Sequence, residues 1–523
     1  MFILISITLL VLAAFGMLVL RLLRPSFGYH WLIAAGGVFA AWLMILFSET
    51  SIPDSLQLIS WGPKTTYPNS IIMIVDRISW PFAVALGTLL LATVLSDVIR
   101  AYEINWSNWA SSLVVIAIGL VGIFSGNLLT FIIIWTAFDF VVLLILLLQL
   151  ESEIFRRRAV WVFFIHLLGT TCLLIAGVIS VSDNNSLLLQ QVSPRAIIFV
   201  VLAAGFRFGA LPLGSQMLED QTSRRSFGTI RTLASMAIVI VFLVRVAPAL
   251  ENVELPGYLW LGLFSLAGLI ALLYSIAWLF AKDDLEGRQA WIVGLGFIII
   301  ASTLRSEVNA SLSWGLAAIF SGGLIFLASV REKFSMWITL IGLVGICTLP
   351  FTPTWAGLAL FAAPFNISLI LYLLAIIFTL WGFARLAAQL KPGPSGLERW
   401  IKVVYPIGLL LLPLTHIGLG WIYKPEIGDV PLLGWIMGPL ICVLAALGFI
   451  WPRRGGMVPQ DKVRVISSML NFKWLKPILA PILIQLTRLI NFVSSIFEGE
   501  GGFLWVMLSI VLFLAILLFS IGS

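Results

Sequence analysis

Apolar runs separated by short polar connections repeat along almost the whole chain. Read as helices rising 1.5 Å per residue, and allowing for tilt or burial in a bundle, sixteen of them reach across a hydrocarbon layer of about 30 Å. In the first half they fall at roughly 2–20, 31–48, 78–96, 109–125, 127–150, 159–182, 196–214 and 229–250. The second half continues at roughly 258–281, 290–304, 310–330, 335–351, 366–390, 403–423, 431–451 and 502–521. This pattern predicts an all-α polytopic membrane protein. Composition agrees: 61% hydrophobic, 11% charged residues and a mean hydropathy of +1.09 leave too little polar surface to cover a soluble protein of 523 residues.

Charge adds direction to the pattern. Of the 31 Lys and Arg, 22 fall in odd-numbered connections and 6 in even ones, counting Arg245 at the outer edge of its span; Arg207, Arg231 and Arg385 lie within or at the edge of spans. Short basic loops stay on the cytoplasmic side, so both termini are expected on the extracytoplasmic side of a cell (inner) membrane. The net charge of +7 sits in stretches such as Arg156-Arg157-Arg158 and Arg224-Arg225, where topology and anionic lipid headgroups account for it without nucleic acid. Met1 to Leu20 lacks a basic n-region and is expected to stay as the first helix. Cys172, Cys347 and Cys442 form no C-x-x-C, and His30, His166 and His416 are few and scattered, so no disulfide framework, iron-sulfur cluster, haem or other cofactor is indicated.

Two connections are long. Between spans two and three, residues 49–76 hold two strand-like stretches, Leu56 to Ile59 and Ser70 to Val75, around Gly62-Pro63, which predicts an outer hairpin. Between spans fifteen and sixteen, Gln485, Arg488, Asn491 and Ser495 recur at helical spacing opposite Leu486, Leu489, Ile490 and Val493. That predicts an amphipathic helix over about 474–497, lying along the membrane or against other spans, with lipid a candidate occupant of the groove beneath it.

An ionisable group inside a bilayer costs at least ~2.5 kcal/mol by insertion scales, so the few such groups mark candidate sites. Asp139 lies midway along span five, Arg207 midway along span seven, Arg231 near the start of span eight, and His166 in span six. Asp139 and Arg207 are expected to pair, either within a line of polar groups serving ions or as a structural bridge between helices. Pro212, with Gly209 close by, is expected to bend or break span seven, and Pro350 and Pro353 mark a second interruption. Either these are ordinary proline kinks or they mark an internal duplication lining an ion path. On the second view the chain divides at 1–105 (three spans and the hairpin), 106–255 and 256–395 (two similar halves) and 396–523 (the last spans with the amphipathic helix).

From about Asp76 to Gly357 the chain resembles the antiporter-like membrane subunits shared by respiratory complex I, Mrp-type cation/proton antiporters and membrane-bound hydrogenases. Val75-Asp76-Arg77-Ile78-Ser79-Trp80-Pro81-Phe82 looks like the opening of that family's third helix, and Asn127 to Leu150 is similar to its fifth. Phe206-Arg207-Phe208-Gly209-Ala210-Leu211-Pro212-Leu213 resembles the K-x-A-Q-x-P signature of its broken seventh helix, and Gly345 to Pro353 its second broken helix. Asp284-Leu285 before Ala290-Trp291 resembles its D-L-K-x-x-L-A-Y turn. Sixteen spans, outward termini, a hairpin and a lateral-type helix also agree with what the resemblance implies, as do partner membrane subunits in a hetero-oligomeric complex and protons or monovalent cations as cargo.

The chain departs from the family where charge moves. The fifth-helix Glu falls on Thr136, with Asp139 one turn later; the seventh-helix Lys falls on Arg207, the eighth-helix His on Arg231, and a central Lys of the second half near Gly322. Thr352 to Ala384 contains no Asp, Glu, His, Lys or Arg. A buried lysine is tuned to release a proton, whereas arginine effectively holds it. The resemblance with these departures implies a subunit with a degenerate proton path and a scaffold or coupling role. The alternative is an active carrier using Asp139, Glu286, Arg231 and water. A membrane enzyme is a third reading, but no H-E-x-x-H or G-x-S-x-G is present, and Asp283, Asp284 and Glu286 beside Lys282 and Arg288 are expected to form solvated ion pairs.

Overall fold

The computed structural model describes residues 1–450 apart from 27, 60–70, 101–103, 185–186, 211–224, 252–256, 363, 394–397 and 423–429, together with Pro481, Ile484, Gln485 and Arg488. The described helices are α1 (Phe2–Leu23), α2 (His30–Phe47), α3 (Ser79–Ser96), α4 (Trp106–Ile123), α5 (Leu128–Gln149), α6 (Glu153–Asn184), α7 (Ile197–Phe208), α8 (Phe227–Val246), α9 (Gly257–Phe280), α10 (Asp284–Leu304), α11 (Val308–Leu327), α12 (Lys333–Ile346), α13 (Leu369–Ala387), α14 (Arg399–Ile422) and α15 (Leu432–Ile450). Twelve helical segments among the described residues are long and apolar enough to cross a membrane. The chain is a helical, multi-pass membrane protein. The span expected at 502–521 lies outside the described residues. Of the helix expected at 474–497, the four described positions are helical and exposed.

Burial sorts the helices into layers. In α3, α10 and α11 94% of the apolar stretch is buried, against 28% in α1 and α2 and 33% in α5 and α6, so the first set forms the centre and the second the outer rim. Without water to drive helices together, close packing holds such a bundle, and small residues permit it. Gly408 of α14 lies against Ala92 and Leu95 of α3, where an added Cβ would sit 3.3 Å from the Ala92 carbonyl. Gly294 of α10 likewise lies against Ala271 and Ser275 of α9.

Two helices stop early, each for a local reason. α7 has twelve residues, about 18 Å, and ends where Gly209 adopts φ +76° with its amide bonded back to Gly205 and Phe206. Pro212 lies outside the described residues. α12 ends at Ile346; Cys347 is extended, turns containing Pro350 and Pro353 follow, and a 3₁₀ helix runs from Trp355 to Phe361. The Cys347 carbonyl freed by this ending accepts the hydroxyls of Thr352 at 2.5 Å and Thr354 at 2.6 Å, which meets the need of a buried carbonyl for a donor.

Strands β1 (Asp54–Ile59) and β2 (Ile71–Val75) pair antiparallel, with Asp54 opposite Val75 and an irregularity between Gln57 and Ile59. The other edge of β2 meets the α4–α5 connection through Ile74 N to Phe124 O at 2.7 Å and Gly126 N to Ile72 O at 2.8 Å. Arg245 at the end of α8 donates to the Ser125 and Ile74 carbonyls and pairs with Asp76 at 3.2 Å. These contacts gather even-numbered connections at one end of the bundle. At the other, Asp284 joins Arg225, Arg331 and Lys391, all before or between helices of the opposite parity.

Candidate functional site

Asp139 stands midway along α5, where neither helix terminus supplies it with backbone partners. Both of its oxygens are bonded: Oδ2 accepts from Arg207 Nη1 of α7, and His166 Nδ1 of α6 lies 2.9 Å from Oδ1. A carboxylate only accepts, so Nδ1 carries the hydrogen in that bond. The Asp139 side chain is 6% exposed and that of Arg207 1%, which makes this a buried pair. Arg207 lies in the last turn of α7, where the helix dipole favours a cation. Its guanidinium also meets the faces of Trp135 at 4.6 Å and Phe138 at 5.3 Å, four residues and one residue before Asp139. Its Nε and Nη2 make no hydrogen bond among the described residues, so ring faces take the place of acceptors there.

A cavity of about 110 Å³, room for several waters, opens beside this pair. Asp139, His166, Arg207, Arg231 and Glu286 all line it, so the five ionisable residues singled out from sequence converge on one space. The first turns of α8 contribute Arg231, Thr232 and Ser235, and those of α10 contribute Glu286, Arg288 and Gln289. Glu286 is exposed while Asp139 is buried, so the cavity runs from a surface carboxylate to an interior one. Gln289 donates to the Phe208 carbonyl at 2.6 Å and ties the end of α7 to α10. Gly209 lies against the Gln289 amide, and Pro350 and Pro353 lie at the end of α12 rather than along this cavity.

Two positions where the resembled family carries charge are filled otherwise. Thr136 turns its hydroxyl back to the Ile132 carbonyl at 2.8 Å. At Gly322 an added Cβ would meet Trp291 Nε1 at 2.6 Å, because the indole occupies that space and donates to the Ala318 carbonyl. In the second half the buried imidazole is His416 of α14, which stacks on Phe320 at 5.0 Å and lies against Gly345 in the last turn of α12. No sequence motif marks it.

The acidic group at the start of α10 differs from the expected solvated pairs. Asp284 is fully buried and binds Arg225 Nη1 at 2.7 Å, Arg331 Nη2 at 3.1 Å and Lys391 Nζ. Its partners are therefore more than forty residues away rather than Lys282 and Arg288. Sequence neighbours at a helix start face solvent together only where the next connections leave that end uncovered, and here the α11–α12 and α13–α14 connections, which carry Arg331 and Lys391, close over it. Burial pushes the Arg331 guanidinium below its ordinary value, and Asp284 opposes that shift. Asp283 caps α10 by accepting from Glu286 N at 2.7 Å, and buried Arg288 donates to Thr229 Oγ1 at 3.3 Å.

No family model matches the chain, and no curated protein matches it. Solved structures do. A chain of the membrane-bound sulfane sulfur reductase, an archaeal respiratory membrane complex, superposes with TM-score 0.63 at 13% identity over 98% of this chain and 100% of that one. A chain of the Mrp complex from Dietzia sp. gives TM-score 0.62 at 14% identity over 98% of this chain and 62% of the other. One from respiratory complex I of Thermus thermophilus, determined with bound aureothin, gives 0.56 at 15% identity over 84% and 99%. The chain therefore shares its fold with these chains of membrane complexes.

Proposed function

We propose that this chain is an antiporter-like membrane subunit of a multi-subunit respiratory-type or hydrogenase-type ion-translocating complex, and that it serves as scaffold or coupling element with its own proton path closed. The likeness to chains of three membrane complexes supports the subunit role. In this reading α7 and α12 are the two broken membrane helices, sixteen spans place both termini outside, and the surface helix before the last span runs along its neighbours.

One observation carries the closed path: the guanidinium of Arg207 is bonded to Asp139 and enclosed by Trp135 and Phe138. Proton relay needs a group that both takes and gives up a proton, and arginine stays charged. The purified chain in liposomes is expected to show no proton or cation flux driven by a pH gradient. A second reading, an active carrier, draws support from the cavity that joins Glu286 and Arg231 to Asp139 and His166. Robust flux abolished by Asp139→Asn would establish that reading and remove the first.

A further inference from the structure

Among the described residues, three cations meet a single buried carboxylate at the end of the bundle away from β1 and β2. We infer that Arg225 and Lys391 form a binding site for an oxyanion of the phosphate class, built over the buried Asp284–Arg331 pair. This inference stands apart from the ion path and does not depend on it.

Three cations share one carboxylate: Arg225 and Arg331 bind Oδ2 of Asp284, and Lys391 binds Oδ1. No other ion pair engages these three cations among the described residues. Asp283 is committed to capping α10, Glu286 accepts the Lys282 amide, and Glu332 lies against Gly393 instead. The three cations differ in reach. Arg331 is sealed, its Nη1 and Nη2 spent on the Leu386 and Ile325 carbonyls as well as Asp284. Among the described residues Arg225, 13% exposed, makes its hydrogen bonds through Nη1, and Lys391 keeps 26% of its side chain exposed.

Because Arg225 and Lys391 grip the same carboxylate through its two oxygens, one tetrahedral oxyanion accepting bonds of ~2.8 Å from each bridges them. The backbone is set for this. Arg331 N donates to Lys391 O at 2.8 Å and Lys391 N to Arg331 O at 3.1 Å, so the two connections that carry the cations are joined directly. Phe334 and Trp337 on α12 and Trp400 on α14 stand exposed in the adjoining turns, as aromatic residues do at headgroup level. The phosphate of an anionic phospholipid and free phosphate share the chemistry that this site recognises.

The test is calorimetric titration of the full chain, held in phosphatidylcholine nanodiscs, with inorganic phosphate and separately with short-chain phosphatidylglycerol. Saturable, salt-sensitive binding is expected, weakened at least about tenfold in Lys391→Gln and in Arg225→Gln and retained in Lys391→Arg. Phosphatidylglycerol binding that phosphate does not displace assigns a lipid headgroup; displacement by phosphate assigns a free oxyanion. Absence of saturable binding by either probe, or binding undiminished in both Gln variants, overturns the site.

Discussion

At the residue scale the protein is governed by what a single ion pair needs once it is buried. Asp139 uses one oxygen for Arg207 and the other for His166, and Arg207 uses aromatic faces where acceptors are lacking. Removing one partner of such a pair strands the other charge in low dielectric at a cost of about 3–5 kcal/mol, whereas replacing both with apolar groups of similar size is often neutral. Asp139→Asn is therefore expected to lower the thermal unfolding midpoint of the purified protein sharply, and the Asp139→Leu, Arg207→Met double variant to stay much nearer the wild-type midpoint. If Asp139→Asn left the midpoint unchanged, the pair would contribute nothing to holding α5 and α7 together. The candidate residues were legible from sequence because charge inside an apolar run stands out. Their shared cavity was not, since α5, α6, α7, α8 and α10 bring them together over almost 150 positions of chain.

At the element scale, helix endings decide where these side chains stand. Arg207 is at the end of α7 because Gly209 takes a left-handed conformation, which costs other residues roughly 1–2 kcal/mol, and because Gln289 lies where a Cβ would go. Gly209→Ala should thus be destabilising by at least about 1 kcal/mol in equilibrium unfolding. An equally stable alanine variant would show that the α7 end is free to rearrange. Gly209 close to Pro212 predicts from sequence a bend or break in this span, whereas the bond from Gln289 to the Phe208 carbonyl, eighty-one residues apart, is a contact that sequence could not supply. Proximity in sequence misled at the start of α10, where Lys282 and Arg288 are the nearest basic residues to Asp284. Asp284 is instead made a buried hub by the connections folded over it.

At the scale of the whole molecule, contacts group connections by parity: the paired strands β1 and β2, Ser125 and Arg245 at one end, and Arg225, Asp284, Arg331 and Lys391 at the other. The basic-loop rule assigns the second group to the cytoplasm. With the three native cysteines replaced by serine, a membrane-impermeant maleimide added to intact cells is expected to label Glu49→Cys and spare Arg157→Cys; the reverse pattern would invert the orientation. Sequence alone determined the membrane class, the run of helices, the charge asymmetry and the short set of residues that had to find partners, because hydrophobic transfer and buried charge are properties of each side chain in its own stretch of chain. The tertiary structure alone decided that His166 takes the second oxygen of Asp139, that Trp291 fills the space at Gly322, and that Asp284 gathers three cations from distant connections. Those outcomes depend on which helices become neighbours, and neighbourhood is set by packing across the bundle rather than by order along the chain.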